Sequence, residues 1–126
     1  MNEVKFQTFW DRISICWTDR DFQSWVDHIA LPFTSITRNG QLNNDSIESL
    51  EKDCDLYRQA LDTLKISHII RKVTVIKVSE EDTLIGTYQT QMFAEDRRVM
   101  APYTSSAMLK TWRISSIMNA LGHRDW

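Results

Sequence analysis

After residue 65 the apolar residues of this chain change their period, and that change limits the possible folds more than any other feature. Before it, Phe6, Phe9, Trp10, Ile13, Cys16 and Trp17 recur at spacings of three and four, as do Ile47, Leu50, Cys54, Tyr57, Leu61 and Leu64. Each set is one face of a helix. From Ile66 onward the chain is β-rich in four segments, Ser67–Val78, Leu84–Phe93, Arg98–Leu109 and Trp112–Asn119, separated by short polar stretches. Helices followed by consecutive strands predict an α+β domain in which the helices cover one face of an antiparallel meander.

Local signals fill in the first half. The first helix runs from Glu3 to Asp19, and a short second one covers Asp21–Val26, with Asp19 or Asp21 supplying the N-cap oxygen. Ile29–Thr37 contains Pro32 and is expected as an edge strand, because proline cannot donate to a ladder. Asn39-Gly40 is a hairpin turn signal, and Gln41–Asn43 would be the return strand. Asp45-Ser46-Ile47-Glu48 resembles a capping box opening the third helix. No linker, repeat or low-complexity tract divides the chain, so residues 1–126 are taken as one domain.

Turn lengths assign the faces of the meander. If Glu95-Asp96 is a two-residue turn, Met92 faces Val99, Thr90 faces Ala101, Tyr88 faces Tyr103 and Gly86 faces Ser105. If Lys110-Thr111 is the next turn, Leu109 faces Trp112, Ala107 faces Ile114, Ser105 faces Ser116 and Tyr103 faces Met118. Leu84, Tyr88, Met92, Tyr103, Leu109, Trp112, Ile114 and Met118 then share the inward face. Gln89, Met100, Thr104, Met108, Arg113 and Ile117 share the outward one.

Composition closes off several function classes. Fifteen basic against seventeen acidic residues give a net charge of −2, and the basic residues cluster only at Arg71-Lys72 and Arg97-Arg98. That leaves no footprint for a nucleic-acid backbone. Only Gly40, Gly86 and Gly122 occur, so neither a phosphate-cradling loop nor a dinucleotide fingerprint can be written. Cys16 and Cys54 are too far apart for a metal knuckle or a CxxC pair, and His28, His68 and His123 are equally scattered; no metal site and no cofactor are expected. Residues Met1–Phe6 lack the basic and apolar regions of a signal peptide, and no apolar run approaches the roughly 20 residues that span a bilayer. A cytoplasmic protein with no membrane partner is expected, its cysteines reduced and buried on the helical stripes. In that setting the Asn44-Asp45-Ser46 sequon has no consequence.

The most informative chemistry lies on the inward face, where Tyr88, Thr90, Tyr103, Ser105 and Ser116 place hydroxyls in an apolar wall. Apolar surroundings with a few convergent polar groups are the usual make-up of a small-molecule pocket. Phe9, Trp10, Ile13 and Trp17 would form the opposite wall, with Trp112 and Met118 completing it. His28, at the junction of the second helix and the first strand, is the candidate general base, and Tyr103 the candidate catalytic hydroxyl. The acidic runs at Glu80-Glu81-Asp82 and Glu95-Asp96 are expected as solvated turns, and of the tryptophans only Trp126 is expected to be free.

The order helix, short helix, hairpin, long helix and four-strand meander resembles the nuclear transport factor 2-like superfamily, specifically its SnoaL-like branch. The likeness spans nearly the whole chain and includes His28-Ile29-Ala30-Leu31-Pro32-Phe33, Asn39-Gly40, Gly86-Thr87-Tyr88 and Trp112-Arg113-Ile114. It implies a curved sheet wrapped as a cone around a long helix, a ligand cavity at the open end, and a homodimer through the outer sheet face. Isomerases of this superfamily use a tyrosine on the first helix and two acids inside the cone. Rough alignment puts Ile13, Thr37 and Ser105 at those positions, so that mechanism is not expected. Epoxide hydrolases of this fold use an Asp-Arg-Asp cluster, and the meander offers no inward carboxylate.

Two readings stay open at this point. The first is a cone that binds a small, largely apolar molecule, with cofactor-free acid–base chemistry of isomerase, dehydratase or cyclase type by His28 assisted by Tyr88 or Tyr103. The second is a non-catalytic dimeric module that binds a protein or metabolite. A titratable group aimed into the cavity distinguishes them.

Overall fold

The computed structural model describes residues 3–37, 40–80 and 82–119. Helix α1 spans Glu3–Thr18, and its stripe of Phe6, Phe9, Trp10, Ile13, Cys16 and Trp17 is buried throughout. Helix α2 (Phe22–Val26) starts at Asp21, whose carboxylate accepts from the Ser24 N–H at 3.1 Å and the Ser24 hydroxyl at 2.7 Å. Those bonds hold the Asp21 carboxyl below its ordinary pKa.

Helix α3 (Ile47–Thr63) buries Leu50, Cys54, Tyr57 and Leu61. The ends of its expected stripe, Ile47 and Leu64, are exposed. Its N-cap is Ser46 and not Asp45: the Ser46 hydroxyl accepts from the Ser49 N–H at 3.2 Å, and Ser49 Oγ donates back to the Ser46 carbonyl at 3.0 Å. The capping expected of Asp45 and Glu48 thus falls one residue later, on Ser46 and Ser49, and the return bond runs to the Ser46 carbonyl and not to its N–H.

The strands are β1 (Ile29–Thr37), β2 (Gly40–Asn44), β3 (His68–Glu80), β4 (Thr83–Ala94), β5 (Arg97–Arg98), β6 (Tyr103–Lys110) and β7 (Arg113–Asn119). They form one sheet ordered β2-β1-β7-β6-β4-β3, with β5 paired to β4. All pairings are antiparallel except β1 with β7. The helices lie on the inner side of this curved sheet, an α+β cone.

Strand β1 therefore is not the edge that Pro32 suggested; it lies between β2 and β7. Its pairing with β7 shifts register between Ile29 and Thr34, and Pro32 sits inside that irregular stretch, where its missing N–H interrupts no regular ladder. The β1–β2 hairpin forms with Thr37 opposite Gly40, so Gly40 is a strand residue with φ +125°; the rest of the expected turn lies outside the described residues. At the opposite edge, the Gln7 side-chain amide donates to the Arg71 carbonyl and accepts from the Val73 N–H at 2.9 Å. Helix α1 thereby satisfies backbone groups that an edge strand leaves open.

Next to the Glu95-Asp96 turn the register is the expected one, since Phe93 pairs with Arg98 and the Val99 N–H reaches the Met92 carbonyl at 3.0 Å. The third expected strand then breaks at residues 99–102. Beyond the break, Thr90 pairs with Tyr103, Tyr88 with Ser105 and Gly86 with Ala107. The two-residue offset preserves every face, because side chains alternate with period two.

The second offset does not. The β6–β7 turn is Thr111-Trp112, both at positive φ, which pairs Leu109 with Ile114. A bulge between Met108 and Leu109 then pairs Met108 with Ser116 and Ala107 with Ile117. One extra residue on β7 exchanges its faces: Ile117, expected outside, is buried, and Met118, expected inside, is 51% exposed.

Candidate ligand cleft

Between α1, α3 and the inner face of β1, β3, β4 and β7 lies a cleft walled by Trp10, Trp17, Trp25, Phe33, Leu50 and Tyr88, with Ile13, Ile114 and Ile117. Trp10 stacks on Tyr88 with ring centroids 4.1 Å apart, and Trp17 meets Tyr57 edge-on at 4.3 Å. The polar groups are few. Arg71, Asp53, Asn44 and Ser35 complete the lining, together with the Cys54 thiol. Room for the centre of a water-sized sphere is about 20 Å³. That admits water and is far below the roughly 300–1,000 Å³ of pockets that enclose drug-sized molecules.

Arg71 is the unusual member. It is 3% exposed, on a face where its strand neighbours Ile69 and Val73 are apolar. Its Nη1 donates to Ser14 Oγ at 2.9 Å, and Ser14 Oγ donates to the Trp10 carbonyl at 3.1 Å. A charge this deep is costly unless hydrogen-bonded, and the α1 serine supplies one such bond. On the other side of the cleft Asn44 Nδ2 donates to Asp53 Oδ2 at 3.0 Å, which orients the carboxylate. Trp10 Nε1 and Thr90 Oγ1 are buried without a hydrogen-bond partner among the described residues. Burial pushes the Cys54 thiol up to about 11 and raises the Cys16 thiol and the Tyr57 hydroxyl as well. All three are neutral near pH 7.

The structure brings together Trp10, Ile13, Trp17 and Tyr88 of the expected pocket. Thr90, Tyr103 and Ser105 are buried on the same sheet face, with Thr90 directly between Arg71 and Tyr103 across three strands. Tyr88 and Tyr103 are not directly opposite each other, as the expected register had them; each is displaced to the other's diagonal. Ser116 and Met118 lie on the far face of β7 for the reason given above. His28, Phe9 and Trp112 line a separate surface cleft on the other side of α1. The His28 ring packs against Phe9 at 5.4 Å, and its Nδ1 donates to the Ser24 carbonyl at 2.7 Å. His28 and Tyr103 thus do not share the interior cleft's lining, and no proton transfer between them follows from this geometry. His123 and Trp126 lie outside the described residues.

Arg71, Asp53 and Asn44 were not singled out from the sequence as site residues, yet two of them carried a signal. Ile69, Arg71 and Val73 alternate as one strand face. Leu50, Asp53, Cys54 and Tyr57 follow the i, i+3, i+4, i+7 spacing of the α3 stripe. The carboxylate that the meander lacks comes from that helix. Among the described residues, no group of three or more His, Cys, Asp or Glu side chains could hold a metal ion. No helix among them is long and apolar enough to cross a membrane.

No protein-family model and no curated protein matches the sequence. Solved structures do match the fold. An NTF-2 like protein of unknown function from Shewanella oneidensis superposes with a TM-score of 0.70 at 8% identity, covering 90% of this chain and 93% of its own. The beta subunit of benzoate 1,2-dioxygenase from Burkholderia mallei gives 0.65 at 12% identity, with 96% and 91% covered. A putative polyketide cyclase from Sinorhizobium meliloti gives 0.57 at 9% identity, with 94% and 99% covered. The chain has the nuclear transport factor 2-like fold. That fold carries unrelated functions, so the reaction has to be argued from the site.

Proposed function

We propose that this is a SnoaL-like small-molecule-binding protein whose interior cleft takes a compact, largely apolar molecule bearing one oxygen function. The observation that carries the reading is the pairing of two donors, the buried Arg71 guanidinium and the Trp10 Nε1 that has no hydrogen-bond partner among the described residues, with a wall of aromatic side chains. A carbonyl or carboxylate oxygen would accept from those donors, and the rings would cover the remainder. Entry requires the aromatic wall to move, because the present free space holds only water. If the cleft is also catalytic, Asp53 held by Asn44 is the base within it, and His28 is not. The test is a thermal-shift screen of small alicyclic and aromatic ketones, aldehydes and carboxylic acids on the native protein and on Arg71→Met. Compounds that stabilise the native protein should fail to stabilise the variant. Equal stabilisation of both removes Arg71 from recognition.

A second reading, a homodimer formed through the outer sheet face, is supported by the composition of that face. Ile85 pairs with Met108, Thr87 with Ser106 and Ser106 with Met118, so the stretch from β4 to β7 carries no charge at its centre, and Lys72 and Lys77 of β3 flank it. Uncharged, part-apolar sheet faces are commonly covered by a partner. The two readings are compatible, since the cleft and the outer face lie on opposite sides of the sheet.

A further inference from the structure

The surface cleft beside α1 is larger than the interior one, with about 440 Å³ of room for the centre of a water-sized sphere. Its lining combines two features. One is aromatic: Phe9 and Trp112 lie 5.9 Å apart between ring centroids, and the His28 ring closes on Phe9 at 5.4 Å. The other is basic: Lys5 and Arg12 are in the lining, and among the described residues no acidic one is. Arg12 makes no ion pair among the described residues.

The backbone adds an independent observation. Trp112 occupies the second position of a two-residue hairpin at φ +60°, after Thr111 at φ +49°. Such turns favour Asn and Gly, and a bulky residue there is strained. Strain of this kind persists where the surroundings over-determine it, and functional sites are where it collects. Here the strained residue is the one that sets the indole beside Phe9. His28 is held from behind as well. Its Nδ1–H is committed to the Ser24 carbonyl, which leaves Nε2 as the ring's other polar atom, and its own carbonyl accepts from the Ile114 N–H at 2.8 Å.

From this arrangement we infer that the cleft between α1 and the β6–β7 turn is a second binding site, for a small organic anion with a flat apolar body. The body lies against Phe9 and Trp112, and its carboxylate faces Arg12, with His28 as a further polar contact. The site is distinct from the interior cleft and does not depend on what binds there.

The test uses 2-naphthoate as the probe and 2-naphthamide as its uncharged counterpart, followed by the indole N–H signals of the ¹⁵N-labelled protein, with Trp112→Phe to assign the Trp112 signal. Naphthoate should shift the Trp112 signal saturably, and the amide should bind at least about fivefold more weakly. Arg12→Gln, on an exposed helix position, should weaken naphthoate by about fivefold or more while leaving the thermal midpoint unchanged. This follows from a charge-assisted hydrogen bond being stronger than a neutral one. The inference is overturned by shifts confined to Trp10, Trp17 and Trp25, by equal binding of acid and amide, or by Arg12→Gln binding like the native protein. Displacement of naphthoate by an equal concentration of inorganic phosphate would also overturn it, by showing a bare anion patch with no role for the rings. Failure of the interior-cleft reading would appear separately, in the response of Arg71→Met.

Discussion

Arg71 on β3 and Ser14 on α1, 57 residues apart in the chain, are joined in the protein interior by a 2.9 Å hydrogen bond from Nη1 to Oγ. The bond fastens the helix to the sheet at the level of the cleft and gives a buried charge one of its partners. Removing the acceptor while keeping the charge should be costly. Ser14→Ala is expected to lose about 1–3 kcal/mol of stability, the usual penalty for stranding a buried donor. Urea denaturation checks it, and an unchanged midpoint would mean that water or another group takes over the bond.

Gly86 and Phe6 make a second contact between α1 and the sheet. A Cβ built on Gly86 would lie 2.2 Å from Cζ of the Phe6 ring, which is fully buried. Gly86→Ala should therefore cost about 1–3 kcal/mol through overpacking. Phe6→Leu should relieve part of that cost, so the double variant is expected to be more stable than the sum of the two single effects implies. Strict additivity would show that the two sites do not meet.

The thiols give an alkaline signature. The folded Cys54 pKa of about 11 lies above its ordinary 9.0 because burial disfavours the thiolate. A raised folded pKa contributes stability that is complete below the unfolded value and is lost as pH rises through the folded one. Stability should accordingly fall between pH 9 and 11, and less steeply in Cys54→Ala. Near pH 8, both Cys16 and Cys54 should react with a thiol reagent only slowly unless the protein is unfolded. Fast labelling under native conditions contradicts the burial.

The outer face predicts assembly. A homodimer should sediment at twice 14.8 kDa, and Ile85→Lys, which puts a charge beside Met108, should return it to the monomer without loss of helix content. A native protein that sediments as a single 14.8 kDa species at micromolar concentration contradicts the interface.

The helices were legible because their signals are local. The α3 stripe predicted Leu61 as a core residue, and it is 1% exposed. The strand segments were legible for the same reason, but their registers were not. Near Glu95-Asp96 the turn residues set the pairing correctly, and the break at 99–102 shifted it by two with no loss of face. The bulge on β7 shifted pairing by one and moved Ser116 and Met118 out of the expected pocket. A bulge is decided by twist and packing across the sheet, which a single strand's alternation does not encode. Pro32 misled in a similar way: its missing N–H was absorbed by irregular pairing inside the sheet and not by an edge. At the site, the aromatic wall was read from α1, whereas Arg71 was read only as half of a basic pair, because its burial is set by tertiary packing.

The most direct test of the interior cleft follows the Trp10 indole N–H by NMR while a compound from the ketone, aldehyde and carboxylic acid panel is added to the native protein. The account predicts a saturable downfield shift of that signal, as Nε1 gains an acceptor, with the same dissociation constant as the loss of free ligand and with no such shift in Arg71→Met. A compound that binds tightly yet leaves the Trp10 signal in place would contradict it.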